Sequence, residues 1–327
     1  MQPVSVVVTV LNEAQDIGRV VPSLLAQEPP AAEVIVVDGG STDGTWEWLE
    51  AAQARSQTSE ARLRAIRDET CSLKYSAGPI SRGRNVAIAA ASQQIIACAD
   101  AGCTYAPDWL RNLTASIVTG QAEYALGGSC IEPEGATVWD VASAPFFSIK
   151  LSPSEPTKSC TARSMAFTRA LWERAGRFPE SVFNAEDTLF DAEARRQTQP
   201  AFVPNAKALY CPQNSFRSAT HQMARYATAD GQAGIRGARL ARNAARCVLE
   251  LAALASLHWT WIPLLVIFAL ESWYAYHRDW RDLTHFGPRA IIARFAFSVA
   301  VPWVVAVNQI RGRFSRKPLS NRQNVQA

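Results

Sequence analysis

Absences narrow the field first. The seven cysteines are scattered at positions 71, 98, 103, 130, 160, 211 and 247. Their odd count and the lack of any Cys-x-x-Cys spacing argue against a closed disulfide framework. Cys98 and Cys103 come closest together, but no His or second Cys pair completes a zinc site, so the set reads as small buried thiols in a reducing compartment. The net charge of +4 is too small to argue for a nucleic-acid partner. No G-x-G-x-x-G follows the first apolar run and no G-x-x-x-x-G-K occurs anywhere, which excludes dinucleotide and P-loop readings. The N-terminus (MQPVSVVVTVLNE) lacks a basic stretch and turns acidic after its apolar run. It reads as a strand, not a signal peptide, and the soluble part is expected to stay in the cytoplasm. There are no internal repeats and no low-complexity tract.

What is present changes character along the chain. Up to roughly Tyr210, short apolar runs alternate with polar turns. Val4–Val10 is a β-branched run, long enough for a buried strand and too short for a helix. Glu13–Ala26 has helical spacing, Val34–Val37 is a second buried strand ending at Asp38, and Ser41, Thr42 and Asp43 supply capping side chains for the next helix. Leu63–Ile66, Gln94–Ala99, Tyr124–Leu126 and Ser164–Thr168 read as further strands, with helices over Ser81–Ala91, from Pro107, and over Glu186–Arg196. Ala201–Val203 and Ala208–Cys211 read as two short closing strands. Such alternation predicts a parallel sheet covered by helices on both faces. Ile131–Pro156, with four prolines, reads as a partly irregular, mobile loop and as the acceptor lid.

In open parallel sheets, ligands bind beyond the carboxyl ends of the strands. Glu13, Asp38 and Asp100 occupy such positions after three of the predicted strands. Singly each is explained as well by helix capping; together they form a set of acceptors for the base and ribose hydroxyls of a nucleotide.

Five blocks now stand in order: VVVTVLNEAQDI (Val6–Ile17), VIVVDGGSTDGT (Val34–Thr45), SRGRNVAI (Ser81–Ile88), IIACADAGCTYAPDWL (Ile95–Leu110) and AEDT (Ala185–Thr188). This ordered set resembles the family-2 glycosyltransferases over roughly the first 230 residues. The resemblance implies an α/β fold, a Rossmann-like nucleotide-sugar-binding domain of the GT-A type, and inverting transfer of a hexosyl unit from a nucleotide-diphosphate sugar. By the same resemblance Glu13 and Asp38 contact the nucleoside, and Arg84 and Asn85 line the donor side. Asp100 stands where the family's Asp-x-Asp begins, as the candidate ligand of Mg²⁺ or Mn²⁺, and Asp187 of the Glu-Asp motif is the catalytic base. An inverting displacement needs one such carboxylate to take the acceptor hydroxyl's proton, and a helix N-terminus suits a carboxylate there. Gln222-x-x-Arg225-Tyr226 resembles the Gln-x-x-Arg-Trp element of processive members, with both side chains on one helical face to close over the diphosphate.

The chain departs from the family pattern at three places. Thr9 replaces a proline, Asp38-Gly39 replaces an Asp-Asp pair, and Asp100-Ala101-Gly102 lacks the second carboxylate of Asp-x-Asp. Hard cations prefer several oxygen ligands, so metal dependence is expected to be weak. Arg82, Arg84 or helix N-termini are then candidates to neutralise the leaving group. A sugar-phosphate nucleotidyltransferase is disfavoured, because Val8–Gln15 holds no glycine and no basic residue. A non-catalytic, donor-binding membrane scaffold remains the alternative of another class.

Beyond the catalytic domain, placed at residues 1–230, the sequence predicts a basic amphipathic juxtamembrane helix over 231–250, carrying Arg236, Arg239, Arg242 and Arg246. Residues 251–310 hold two apolar segments, Leu251–Leu270 and Ala290–Val307, the second interrupted by Arg294, and a basic, disordered tail follows over 311–327. Twenty residues at about 1.5 Å each match a hydrocarbon core of about 30 Å. The segments therefore read as a membrane hairpin with both ends cytoplasmic, or as an interfacial anchor. Expected partners are a nucleotide sugar, membrane lipids of an inner or plasma membrane, and a lipid-linked or polysaccharide acceptor, with no nucleic acid.

Overall fold

The computed structural model describes residues 2–56, 61–131, 136–147, 161–210, 215–255, 266, 270 and 287–315. Within these lie β1 (Val4–Val10), α1 (Ile17–Leu25), β2 (Glu33–Asp38), α2 (Thr45–Ser56), β3 (Arg62–Arg67), α3 (Pro79–Ala90), β4 (Ile95–Cys98), β5 (Cys103–Tyr105), α4 (Trp109–Val118) and β6 (Tyr124–Ile131). They are followed by α5 (Val138–Phe147), β7 (Met165–Thr168), α6 (Arg169–Arg174), α7 (Glu186–Gln197), β8 (Ala201–Tyr210), α8 (Phe216–Ala233), α9 (Gly237–Ala255) and α10 (Pro288–Phe314). The chain divides into two compact units, one of Met1–Glu132 with Ser148–Tyr210, the other of Pro133–Phe147 with Cys211–Ala327.

The first unit is built on an eight-stranded sheet in the order β3-β2-β1-β4-β7-β6-β8-β5. β3, β2, β1 and β4 are parallel neighbours. They are the apolar β-branched runs of the sequence, and Val6, Val8, Ile35 and Val36 are fully enclosed. Burying each such side chain contributes roughly 1.5–3 kcal/mol. The expected all-parallel sheet is corrected beyond β4. β7 runs antiparallel to both β4 and β6, and β5 antiparallel to β8. An enclosed run such as Met-Ala-Phe-Thr reads the same in either direction, so its hydrophobicity carries no polarity. Ala201–Tyr210 is one strand, not two, with a register break opposite Gly127 and Gly128. A Cβ on Gly127 would lie 2.1 Å from the Ala206 carbonyl oxygen, which is why a glycine sits at that break. Phe167, Phe178, Phe190 and Trp172 pack beneath the sheet with Val7, Ile35 and Ile96 as one core.

In the second unit, the segment expected to be irregular forms α5 over Val138–Phe147. Pro145 within α5 has no N–H to offer the Val141 carbonyl. Arg294 of α10 takes up that carbonyl at 2.8 Å and that of Ala142 at 2.7 Å. The charge that interrupts the apolar segment is thus buried against α5. α8 and α10 run side by side in the same direction, with Phe216 against Phe297 near one end. Near the other, a Cβ on Gly231 would lie 2.1 Å from the Gln309 carbonyl oxygen, and one on Gly312 would lie 2.1 Å from that of Thr228. Backbones can approach so closely only through glycine. The basic stripe is also partly committed to internal contacts. Arg236, just ahead of α9, and Arg239 both pair with buried Asp230, at 3.1 and 3.2 Å, while Arg246 reaches the Ser298 carbonyl at 3.0 Å. Most of Leu251–Leu270, and the tail from 316, lie outside the described residues.

Candidate active site

Two of the family-like blocks owe their residues to a pair of laced loops. Between β1 and α1, Asn12 adopts a left-handed conformation (φ 58°). Its N–H donates to Ser41 Oγ at 2.8 Å, and its side-chain oxygen accepts from the Thr42 N–H at 3.0 Å. The Glu13 N–H donates to Thr45 Oγ1 at 2.9 Å, and the Ala14 N–H to an Asp43 oxygen at 3.0 Å. This lacing draws residues 13–16 away from the helix expected there, and α1 begins only at Ile17.

Asp38 ends β2 where the sequence places it, but it is wholly enclosed (0% exposed). Its carboxylate accepts from the Ser41 hydroxyl and from the backbone N–H groups of Gly40 at 3.1 Å and Ser41 at 3.0 Å. Asp38 thus shapes the loop that follows it. Gly39 stands in place of an Asp because a Cβ there would lie 2.6 Å from the Cys71 carbonyl oxygen. Glu13 is partly buried, and burial, then Asp16, Asp100 and Asp43, raise its carboxyl from 4.5 to about 7.

The third block supplies a helix with a different task at each position. Gly83 lets α3 lie against Thr9, since a Cβ there would meet the Thr9 methyl at 2.7 Å. Arg82 holds Glu180 at 3.2 Å. Asn85 donates to the Phe178 carbonyl and to Glu180 Oε1, both at 2.9 Å, and accepts from Trp172 Nε1 and the Phe178 N–H. Those four bonds clamp the 178–180 segment onto α3. Arg84 is 4% exposed and reaches Asp100 Oδ1 at 2.8 Å and Glu186 Oε1 at 2.5 Å. Burial alone would lower the Arg84 pKa, but Asp100 and Glu186 override it and push it above its ordinary value. Burial raises the Glu186 carboxyl, and the guanidinium of Arg84 opposes that rise.

Asp187 differs from its neighbour. Glu186 is buried, whereas Asp187 is half-buried at the first turn of α7. Its oxygens accept from the Thr188 N–H at 2.6 Å and from the Ala162 N–H at 3.4 Å. Ala185, immediately before, is left-handed (φ 70°), a conformation costly for an L-residue with a Cβ. Within α7 successive side chains point about 100° apart, so the two consecutive carboxylates face different surroundings. Asp191, one turn on, is structural: it accepts from Tyr124 and Arg195, each at 2.8 Å.

Two participants went unnoticed in the sequence. Arg163 lies with its Nε 3.7 Å from Asp100 Oδ2 and its guanidinium over the Tyr210 ring at 4.0 Å. Tyr105 accepts from the Asp100 N–H at 2.9 Å and donates to the Arg163 carbonyl at 3.1 Å, so one phenol fixes both backbones. Tyr105 belongs to the Ile95–Leu110 block, which was a signal; Arg163 stands in no motif. Gln222 and Arg225 belong to α8 in the second unit, where Gln222 is buried and donates to Tyr226 Oη at 3.0 Å, and Arg225 is exposed. Cys71, Cys98, Cys103 and Cys247 are buried thiols, and burial pushes Cys71 and Cys98 to about 12. Among the described residues no three His, Cys, Asp or Glu side chains gather as a metal site would need.

The model of the family described as "Glycosyl transferase family 2" matches residues 5–173, more than half the chain. The chain belongs to this family. Glycosyltransferase AglE of Haloferax volcanii is 27% identical over 196 residues, which are 58% of this chain; the match spans 60% of the length of that relative. Among solved structures, mannosyltransferase PcManGT from Pyrobaculum calidifontis, in complex with GDP-Man and Mn²⁺, superposes with a TM-score of 0.63 at 20% identity. That match covers 91% of this chain and 87% of the other. A TarS structure from S. aureus in complex with UDP-GlcNAc gives a TM-score of 0.50 at 18% identity, over 96% and 91% of the two chains. These likenesses establish the GT-A fold for this family 2 chain, with its mixed sheet and an apolar helix near the C-terminus.

Proposed function

We propose that this family 2 chain is an inverting glycosyltransferase that moves a hexosyl unit from a nucleotide-diphosphate sugar to a lipid-linked or polysaccharide acceptor. One observation carries the reading. Asp187 is half-buried at the first turn of α7, next to Glu186 and bonded to the Ala162 N–H in the segment that carries Arg163 to Asp100. A base must meet its substrate: Asp187 is partly exposed, whereas Glu186 beside it is buried. The acceptor oxygen forms a bond to the anomeric carbon, and the bond from that carbon to the diphosphate breaks. The electron pair leaves with the nucleoside diphosphate, and the acceptor's proton passes to Asp187. The laced loops at Asn12–Ala14 and Ser41–Thr45, with Glu13 beside them, form the nucleoside edge, and Asp38 keeps that edge in shape. Gln222 and Arg225 are assigned to the diphosphate, as the family pattern implies.

The PcManGT complex holds Mn²⁺. In this chain Mg²⁺ or Mn²⁺ would find Asp100 as its one Asp-x-Asp carboxylate, already engaged by Arg84 and near Arg163. The residues do not fit a protein-held ion, and the transfer is read without one.

Attachment to the cytoplasmic face of an inner or plasma membrane is the second part of the proposal. Among the described residues α10 is the one helix long and apolar enough to cross a membrane, and half of its apolar window is buried. Its inner face packs on α8, which carries Arg217, His221, Arg225 and Asp230. A crossing α10 would draw those charged and polar groups into hydrocarbon, at a cost of several kcal/mol. An in-plane helix avoids this, with Ile292, Val307, Ile310 and Phe314 facing lipid.

A thermal-shift screen of nucleotide-diphosphate sugars, with and without Mn²⁺, tests the donor. One sugar nucleotide should raise the melting temperature without the ion. Stabilisation by none of them removes the transferase reading, and binding without turnover on any acceptor supports a scaffold.

A further inference from the structure

We propose that Arg163 supplies the positive charge that receives the donor's diphosphate, taking over the part that an Asp-x-Asp site leaves to a metal ion. The proposal rests on the nucleotide-sugar reading above and deepens it. Its starting point is the misfit between the residues and a divalent ion. Asp100 has one oxygen 2.8 Å from Arg84 and the other 3.7 Å from the Nε of Arg163. Gly102 adds no side-chain oxygen, and Cys103 is buried in β5. A hard cation wants about six oxygens in its shell, and two guanidinium groups flanking its one carboxylate oppose it.

Arg163 is held as a ligand-binding group should be. Its N–H donates to Thr161 Oγ1 at 3.3 Å, and its carbonyl accepts from Tyr105, the phenol that also accepts from the Asp100 N–H. The guanidinium stacks over Tyr210. The missing second carboxylate would spring from beside that same ring, because a Cβ on Gly102 would lie 3.8 Å from Tyr210 Cε2. The arginine and the absent metal ligand therefore share one wall. On the other side, the residue before Arg163 offers its N–H to Asp187 at 3.4 Å. One short segment thus sits between the acceptor's base and Asp100. At 11% exposure the Arg163 side chain is reachable yet mostly desolvated, where a charge-assisted bond to phosphate is strong.

Arg163 differs from the other arginines of the site in its place, over Tyr210 beside the position of the missing carboxylate. Arg84 is 4% exposed, and turning it to a ligand would strip Glu186 and Asp100 of their partner. Arg82 holds Glu180 and Thr70. In the transfer, the electron pair of the breaking bond from the anomeric carbon goes to the departing diphosphate oxygen, Arg163 stabilises the charge that collects there, and Asp187 takes the acceptor's proton.

Calorimetry on the full chain in EDTA, titrating UDP, GDP, ADP, CDP and dTDP, identifies the diphosphate that binds. That nucleotide and its monophosphate are then titrated into Arg163→Ala, Arg163→Gln and Arg163→Lys. The wild type should bind the diphosphate in EDTA. Both neutral variants should lose about tenfold or more of that affinity while the monophosphate changes little, and the lysine variant should fall between, since a point charge replaces a planar fork. If Arg163→Ala does not fold, the comparison of glutamine with lysine carries the same contrast. Undiminished diphosphate affinity in the neutral variants overturns the proposal. So do equal losses for both nucleotides, which indicate a structural role, and wild-type diphosphate binding that vanishes in EDTA and returns with Mn²⁺. A wild type that binds no diphosphate in either condition defeats the nucleotide-sugar reading itself.

Discussion

Arg84 donates to Asp100 at 2.8 Å and to Glu186 at 2.5 Å, so one buried guanidinium joins the loop after β4 to the first turn of α7. Arg84→Met leaves Glu186 buried without its cation, and removing one partner of a buried pair costs about 3–5 kcal/mol. Urea unfolding should show a loss of that order, with Arg84→Lys intermediate. An unchanged midpoint for Arg84→Met would show that the Asp100–Arg84–Glu186 bridge adds no stability.

The two missing family carboxylates should respond in opposite ways to restoration. Gly102 is exposed and its Cβ direction is open, whereas Gly39 faces the Cys71 carbonyl at 2.6 Å. Gly102→Asp should fold like the wild type and gain Mn²⁺ affinity beside Asp100. Gly39→Asp should destabilise the chain by about 1–3 kcal/mol, as overpacking does. Melting curves and Mn²⁺ titration read both, and a well-folded Gly39→Asp would contradict the steric explanation.

Glu13 gives stability a pH dependence of defined sign. Its carboxyl lies at about 7 in the folded chain against 4.5 ordinarily, raised first by burial and then by Asp16, Asp100 and Asp43. The folded state therefore binds more protons between those values. The associated stability is full below about 4.5 and is lost as pH rises toward 7. Glu13→Gln should melt close to the wild type at the acid end of that window and progressively above it toward neutrality. A difference that stays flat with pH would remove Glu13 from this role.

Much of this was legible in the sequence, for reasons that particular residues make plain. Val4–Val10 and Glu33–Asp38 declare themselves because fully enclosed strands need unbroken apolar runs. The positions of Glu13, Asp38 and Asp100 at strand ends followed from those runs. Orientation did not: Asp38 turns back onto its own loop and Asn85 clamps Phe178, and no spacing rule distinguishes a side chain facing a ligand from one facing its neighbours. Arg163 was invisible because it gains its place through Tyr105 and Tyr210, contacts that only the folded sheet brings about. The polarity of β7 was hidden for the same reason as its burial was evident.

The membrane reading depends on the outer face of α10. Ile292→Asp combined with Val307→Asp should abolish sedimentation with vesicles of phosphatidylcholine and phosphatidylglycerol while the melting temperature barely moves, since both side chains are exposed. Removing the chain beyond Gly234 is a poorer test, because it also strips α10 from α8. Full binding by the double variant would rule out this face as the attachment surface.

Asp187→Asn tests the central claim most directly, because it keeps the side chain's shape and removes the base. With the donor found in the thermal-shift screen, calorimetry and transfer rate should be measured on the same preparation. The account predicts donor affinity close to that of the wild type and transfer slower by about 10²-fold or more. Transfer at the wild-type rate would contradict it and place the base elsewhere.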